Sequence, residues 1–154
     1  MKNTKAGTFK FVENWKIQKV DSVTGEVLET REFCNAIVDS GLERMARMCM
    51  GDSAVYFRAL VIGTGSTAVT TSDTALETEF TRELATLSYE ADCIAKFSKT
   101  FTFGSGVSES ITEAGILDNE TSGGVMLART VFPAIEVSSS IDLIFNAEIT
   151  FARV

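Results

Sequence analysis

Residues 141–151 constrain the fold of this chain more than any other segment. Ile141, Leu143, Phe145, Ala147, Ile149 and Phe151 alternate with Asp142, Asn146, Glu148 and Thr150. Successive strand side chains point to opposite faces, so a period of two describes a strand with one face on a core and the other mostly wet. Such a strand needs partners on both sides and a second layer over its apolar face.

The rest of the chain supplies them. In Thr8–Val20, Phe9, Phe11, Trp15 and Ile17 share one parity, interrupted by Glu13. Residues 21–26 (Asp-Ser-Val-Thr-Gly-Glu) carry turn chemistry, with Gly25 suited to positive φ. Val27–Cys34 then returns, so residues 1–34 read as a long hairpin. Arg58–Gly63 is a short buried strand, Thr64–Asp73 a polar surface loop, and Asp73 a cap for one helical turn at Thr74–Glu77. Arg82–Glu90, Cys93–Phe103, Ile111–Leu117 and Val125–Phe132 add strands. Asn35–Met50 alone changes period. Ile37, Leu42, Met45, Ala46 and Cys49 fall on one helical face, Asn35 or Asp39 caps the start, and Gly51 suits the end. Its methionines read as ordinary core, because Met fills irregular gaps, with a partner-binding groove as the alternative.

About eight strands and one helix predict a mainly β fold: a β-sandwich, jelly-roll-like, with a short α-helix at about residues 36–50 and an N-terminal β-hairpin. The 154 residues suit a single domain, 1–154, with 45% apolar residues to build its core. Within it, residues 1–34 are the hairpin and a candidate assembly arm, and 35–154 the helix plus sandwich.

Charge and composition narrow the function. The net charge is −7, and after Lys19 only Lys96 and Lys99 remain among the lysines. Nucleic-acid binders need a basic face, so direct DNA or RNA binding is not expected. No apolar run reaches eighteen residues, and Met1–Gly7 leads into no apolar stretch of a signal peptide, so neither a membrane span nor a leader is expected. Cys34, Cys49 and Cys93 fit buried thiols in a reducing cytoplasm rather than a disulfide framework. With no His, the usual triads and the commonest metal ligand are missing.

Candidate chemistry is sparse. Residues 62–67 (Ile-Gly-Thr-Gly-Ser-Thr) look superficially like a phosphate loop but lack the Gly-Lys-Ser/Thr that reaches phosphate and Mg²⁺. They read as a strand ending in a tight turn. The carboxylate pairs Glu77/Glu79, Glu109/Glu113 and Asp118/Glu120 read as exposed turns and faces in a chain with 21 acidic residues. Asp118, Asn119 and Glu120 lack Ca²⁺-loop spacing. No catalytic residue, cofactor or metal site is expected, and the chain reads as a structural protein rather than an enzyme.

Four segments taken in order carry a resemblance. They are Asn35-Ala36-Ile37-Val38-Asp39-Ser40-Gly41-Leu42; Leu60-Val61-Ile62-Gly63-Thr64-Gly65 with Thr74-Ala75-Leu76-Glu77-Thr78-Glu79 and Arg82; Ile111-Thr112-Glu113-Ala114-Gly115-Ile116-Leu117-Asp118; and Gly123-Gly124-Val125-Met126-Leu127-Ala128-Arg129-Thr130-Val131-Phe132. Over roughly residues 35–151 this order resembles small tailed-bacteriophage virion proteins, including tail-collar and tail-fibre N-terminal domains. The resemblance implies a virion structural protein, assembled in the host cytoplasm, whose partners are the major capsid protein or other virion proteins. The leading expectation is a capsid decoration, or cement, protein acting as a homo-oligomer. A tail, collar or neck adaptor for fibre attachment is the alternative, and a carbohydrate-binding module the remote one. The resemblance implies no catalytic residue. Phe9, Phe11 and Trp15 of the hairpin are the candidate assembly contacts, the alternative being that these aromatics fill the core.

Overall fold

The computed structural model describes residues 9–52 and 54–153. Its strands are β1 (Phe9–Asp21), β2 (Val27–Phe33), β3 (Ala36–Ile37), β4 (Ala59–Gly63), β5 (Glu79–Leu84), β6 (Thr86–Glu90), β7 (Ile94–Phe101), β8 (Ser108–Leu117), β9 (Met126–Ser138) and β10 (Ile141–Arg153), with helix α1 (Asp39–Cys49) after β3. They form two antiparallel five-stranded sheets, ordered β2-β1-β10-β7-β6 and β3-β9-β8-β4-β5. The inner faces share one apolar core, giving a β-sandwich-like fold. Phe33 of the first sheet stacks on Phe132 of the second at 5.4 Å, and Phe101 meets Phe145 edge-on at 5.5 Å.

Over residues 9–33 the hairpin forms as expected, residues 1–8 lying outside the described residues, but it is not a detached arm. β1 pairs with β2 on one side and along all 13 of its residues with β10 on the other. Its turn is held by Asp21, whose Oδ1 accepts the N–H groups of Val23 at 2.9 Å and Thr24 at 2.7 Å. Those bonds hold the Asp21 carboxyl below its usual range. Gly25 and Gly51 take the expected positive φ.

Four local expectations are corrected. Arg82–Glu90 is two strands in different sheets, β5 and β6. The chain turns the corner at Ala85, whose small side chain is buried and whose N–H bonds the Arg58 carbonyl at 2.8 Å. The helix starts later than residue 36, because Ala36 and Ile37 pair with Arg129 and Ala128 of β9 as strand β3. Neither Asn35 nor Asp39 caps it: the cap residue is Val38, fully buried, with no side-chain cap bond. The three cysteines are exposed rather than buried. Cys34 and Cys49 lie at the ends of β2 and α1, and Cys93 in the turn before β7, where the core does not reach.

The middle of the second sheet, β4 with the adjoining ends of β8 and β9, is buried on both faces. All five residues of β4 are buried, which explains its uninterrupted apolar run. Leu60 and Ile62 face the shared core. Val61 belongs to a second cluster with Val38, Leu76, Leu117 and Met126. Leu76 comes from residues 64–78, a segment without regular structure that lies over this outer face as a strap. Helix α1 docks beside it so closely that a Cβ on Gly41 would meet the Leu127 backbone at 2.7 Å. The outer face of the first sheet carries Asn14, Lys16, Gln18, Asn146 and Glu148 and is wet.

Candidate functional site

The segments with distinctive sequence converge beneath the strap. Glu113 of β8 is fully buried, against the expectation of an exposed face. Its Oε1 accepts the N–H groups of Gly65 at 3.0 Å and Thr78 at 2.8 Å. Its Oε2 accepts the Glu77 N–H at 3.1 Å and the Arg129 Nε at 3.0 Å. Arg129, on β9, also reaches Asp73 Oδ2 at 2.8 Å and the Thr67 carbonyl at 3.3 Å. Glu77 Oε2 turns back to accept the N–H groups of Ser66 and Thr67 at 2.7 and 2.8 Å. Each carboxylate is thus satisfied by strap amides, by Arg129, or by both.

The titration directions agree with this geometry. Burial alone would lower the Arg129 pKa and raise that of Asp73. Their mutual hydrogen bond reverses both, helped by Glu113 at the arginine and Thr70 at the aspartate. Thr67 and Ser66 hold Glu77 below its usual range.

The loop that looked like a phosphate cradle is therefore an anion nest filled by the protein's own carboxylates. The expected helical turn at 74–77 does not form, because the Glu77 and Thr78 amides are committed to Glu113. A Cβ on Gly65 would sit 2.5 Å from Glu113 Oε1. Gly65→Ala is expected to cost about 1–3 kcal/mol by overpacking this network. Denaturant melts check it, and a loss under about 0.5 kcal/mol would show the strap gives way freely.

A second clamp holds the 118–124 loop. Arg82 pairs with Glu79, at 2.6 and 2.5 Å, and donates to the carbonyls of Asn119 and Gly123, each at 2.9 Å. Asp118 accepts the Val125 N–H at 2.7 Å and pairs with Arg44 at 3.1 Å. Glu120 pairs with Arg58 at 2.5 Å. The loop's acidic oxygens are engaged by protein donors.

The surface best built for contact lies at the open end of the sandwich, where the inner face of the first sheet runs past its cover. Phe11 pairs with Phe151, Ala95 with Ile149 and Tyr89, and Phe97 with Leu87, all on inner-face positions. Phe9 is 71% exposed, Phe11 37%, Phe151 43%, Leu87 42% and Tyr89 77%. Beside them lies an apolar groove of about 280 Å³, lined by Met45, Met48, Tyr56, Leu87, Phe97 and Phe151 among others. A larger cleft of about 380 Å³ near Arg44 and Arg47 is less suited to a ligand. Its charges are spent within the chain, Arg47 on Glu43 and Asp52, and Arg44 on Asp118.

Of the three candidate contacts, Phe9 and Phe11 lie on this open end. Trp15 is fully buried, so it is a core residue rather than a contact. The methionines read as core only partly are: Met45 and Met48 pack against the core and also line the groove. Sequence reasoning missed Leu87, Tyr89 and Phe151 as surface. Their parity assigns them to the inner face but does not tell where the covering sheet stops.

Glu13 sits on the same inner face, between Phe11 and Trp15 and opposite Ile149. It is 2% exposed. Its Oε1 accepts the Trp15 indole N–H, and its Oε2 has no partner among the described residues. Burial raises its pKa to about 7, against the lowering effect of the indole bond.

Comparisons of the chain with protein-family profiles, with curated proteins and with solved structures return no match.

Proposed function

We propose that this chain is a non-enzymatic bacteriophage virion structural protein, and within that class a capsid decoration or cement protein that stabilises the head by bridging capsid subunits. The observation that carries the reading is the exposed apolar surface at the open end of the sandwich: Phe9, Phe11, Leu87, Tyr89 and Phe151 on β1, β6 and β10, with Leu87 and Phe151 lining a groove. Contiguous exposed apolar surface favours a protein partner, and the major capsid protein is the partner proposed. The ordered segments that resemble virion proteins support the same reading. Their distinctive residues, Gly65, Glu77, Glu79, Arg82, Glu113 and Arg129, act as internal clamps.

The test is the copy number of this chain in purified virions, by quantitative mass spectrometry against the major capsid protein. A ratio near one per capsid subunit, or a simple fraction of it, is the expected result. A handful of copies per particle would move the protein to the tail, collar or neck. Its absence from virions would overturn the structural reading.

A further inference from the structure

We propose that β6 is a self-association edge, on which two copies of this chain pair antiparallel about a two-fold axis at Ser88. β6 is the last strand of its sheet and, among the described residues, pairs only with β7. All five of its residues are exposed. A sheet edge that is neither covered nor charged is a template for another strand.

The four sheet edges differ in how they are guarded. β2 carries Glu29 and Arg31 on its inward side, paired at 2.6 Å, and Arg31 reaches over the rim to the Pro133 carbonyl at 2.5 Å. Inward charges of this kind block strand addition. β5 carries Glu79, Arg82 and Glu83, with Arg82 tied to the 118–124 loop. β3 is two residues long. β6, by contrast, runs Thr86-Leu87-Ser88-Tyr89 without a charge before Glu90.

The β6 sequence is also self-complementary in one register. Pairing about Ser88 sets Leu87 against Tyr89 of the second copy, and Tyr89 against its Leu87. Both pairs fall on the inner-face side, where aromatic–aliphatic cross-strand contacts stabilise a sheet. They add to the exposed apolar surface of the open end at the junction. On the other side Ser88 meets Ser88, and Glu90 meets Thr86 rather than another glutamate. No like charges oppose each other. The interface is isologous, as a two-fold dimer requires, and makes one continuous ten-stranded sheet from two five-stranded ones.

This inference rests on the edge and not on the virion reading. Failure of the purified chain to dimerise would leave the copy number in particles untouched. The experiment is sedimentation equilibrium on the full chain over a wide concentration range. Wild type is expected to show a monomer–dimer equilibrium. S88K places two ammonium groups across the axis, where opposed side chains lie about 5 Å apart, and weakens the dimer on the order of tenfold. S88E does the same, and an equimolar mixture of S88K and S88E chains regains a dimer at least as tight as wild type. Ser88 is exposed, and an unchanged thermal melt checks that both variants fold. A wild type that stays monomeric at all concentrations would overturn the proposal. So would an S88K dimer as tight as wild type, or a dimer lost equally through T30K on β2.

Discussion

Arg129→Ala is expected to lower the stability of the fold by about 3–5 kcal/mol, the usual cost of removing one partner from a buried ion pair. Arg129 lies 2.9 Å from Glu113 through its Nη2, with both side chains out of solvent. Without the guanidinium, buried Glu113 keeps three backbone amides as donors among the described residues. Glu113→Ala is expected to cost at least as much, because it also strips the acceptor from the Gly65, Glu77 and Thr78 amides. Removing both partners does not restore wild-type stability, since those three amides remain orphaned. Urea denaturation measures the losses. Limited proteolysis adds a local readout, because cleavage within residues 64–78 should appear in both variants before the sheets unfold. A loss below about 1 kcal/mol for Arg129→Ala would show that water or rearrangement replaces the guanidinium and that the strap is held mainly by Leu76.

The second large effect is a fall in stability with rising pH, caused by Glu13. Its folded pKa of about 7 lies above the ordinary carboxyl value of 4.5. Between these two values the folded chain therefore binds more protons than the unfolded one. By linkage, stability then decreases as pH increases. The favourable state is fully present below about pH 4.5 and is lost as pH rises through about 7. The shift corresponds to about 3 kcal/mol between those limits. Glu13→Gln keeps an acceptor for the Trp15 indole and removes the buried charge. It is expected to flatten the profile and to be more stable than wild type at pH 8 by about 2 kcal/mol. Asp73, Glu77 and Asp21 act in the opposite sense. Their lowered pKa values make the fold lose stability as pH falls through the acid range. The full profile should thus peak between the two regimes. Equal urea midpoints for wild type and Glu13→Gln at both pH 5 and pH 8 would rule out a buried charged Glu13.

Much of the architecture is legible from local pattern. The alternation of residues 141–151 describes β10, because a half-buried strand writes its two faces directly into the sequence. The β1–β2 hairpin is equally readable, since Asp21 and Gly25 supply a turn that needs nothing from the rest of the chain. The apolar run of β4 announces a strand covered on both sides.

What failed was decided at longer range. Nothing local distinguishes Ala85 from a residue inside one continuous strand; it becomes a corner because two sheets meet there. Ala36 and Ile37 have a helix-compatible pattern, yet β9 offers them a free edge and they pair with it. The candidate site shows the same division. Gly65, Glu77, Glu113 and Arg129 stand out in the sequence, but as separate segments up to 64 residues apart (129 − 65). Glu77 and Glu113 read as exposed carboxylates, whereas the strap folded over the second sheet ties both into one network with Arg129.

The sequence by itself determined the class of fold, the hairpin and the faces of its long strands, because backbone geometry ties side-chain direction to residue parity. Only the tertiary structure decided which inner-face residues are core and which are surface. Trp15 and Phe11 share a face four residues apart, yet Trp15 is sealed and Phe11 exposed. The difference is where the opposing sheet ends, and that boundary is set by the packing of segments distant in the chain.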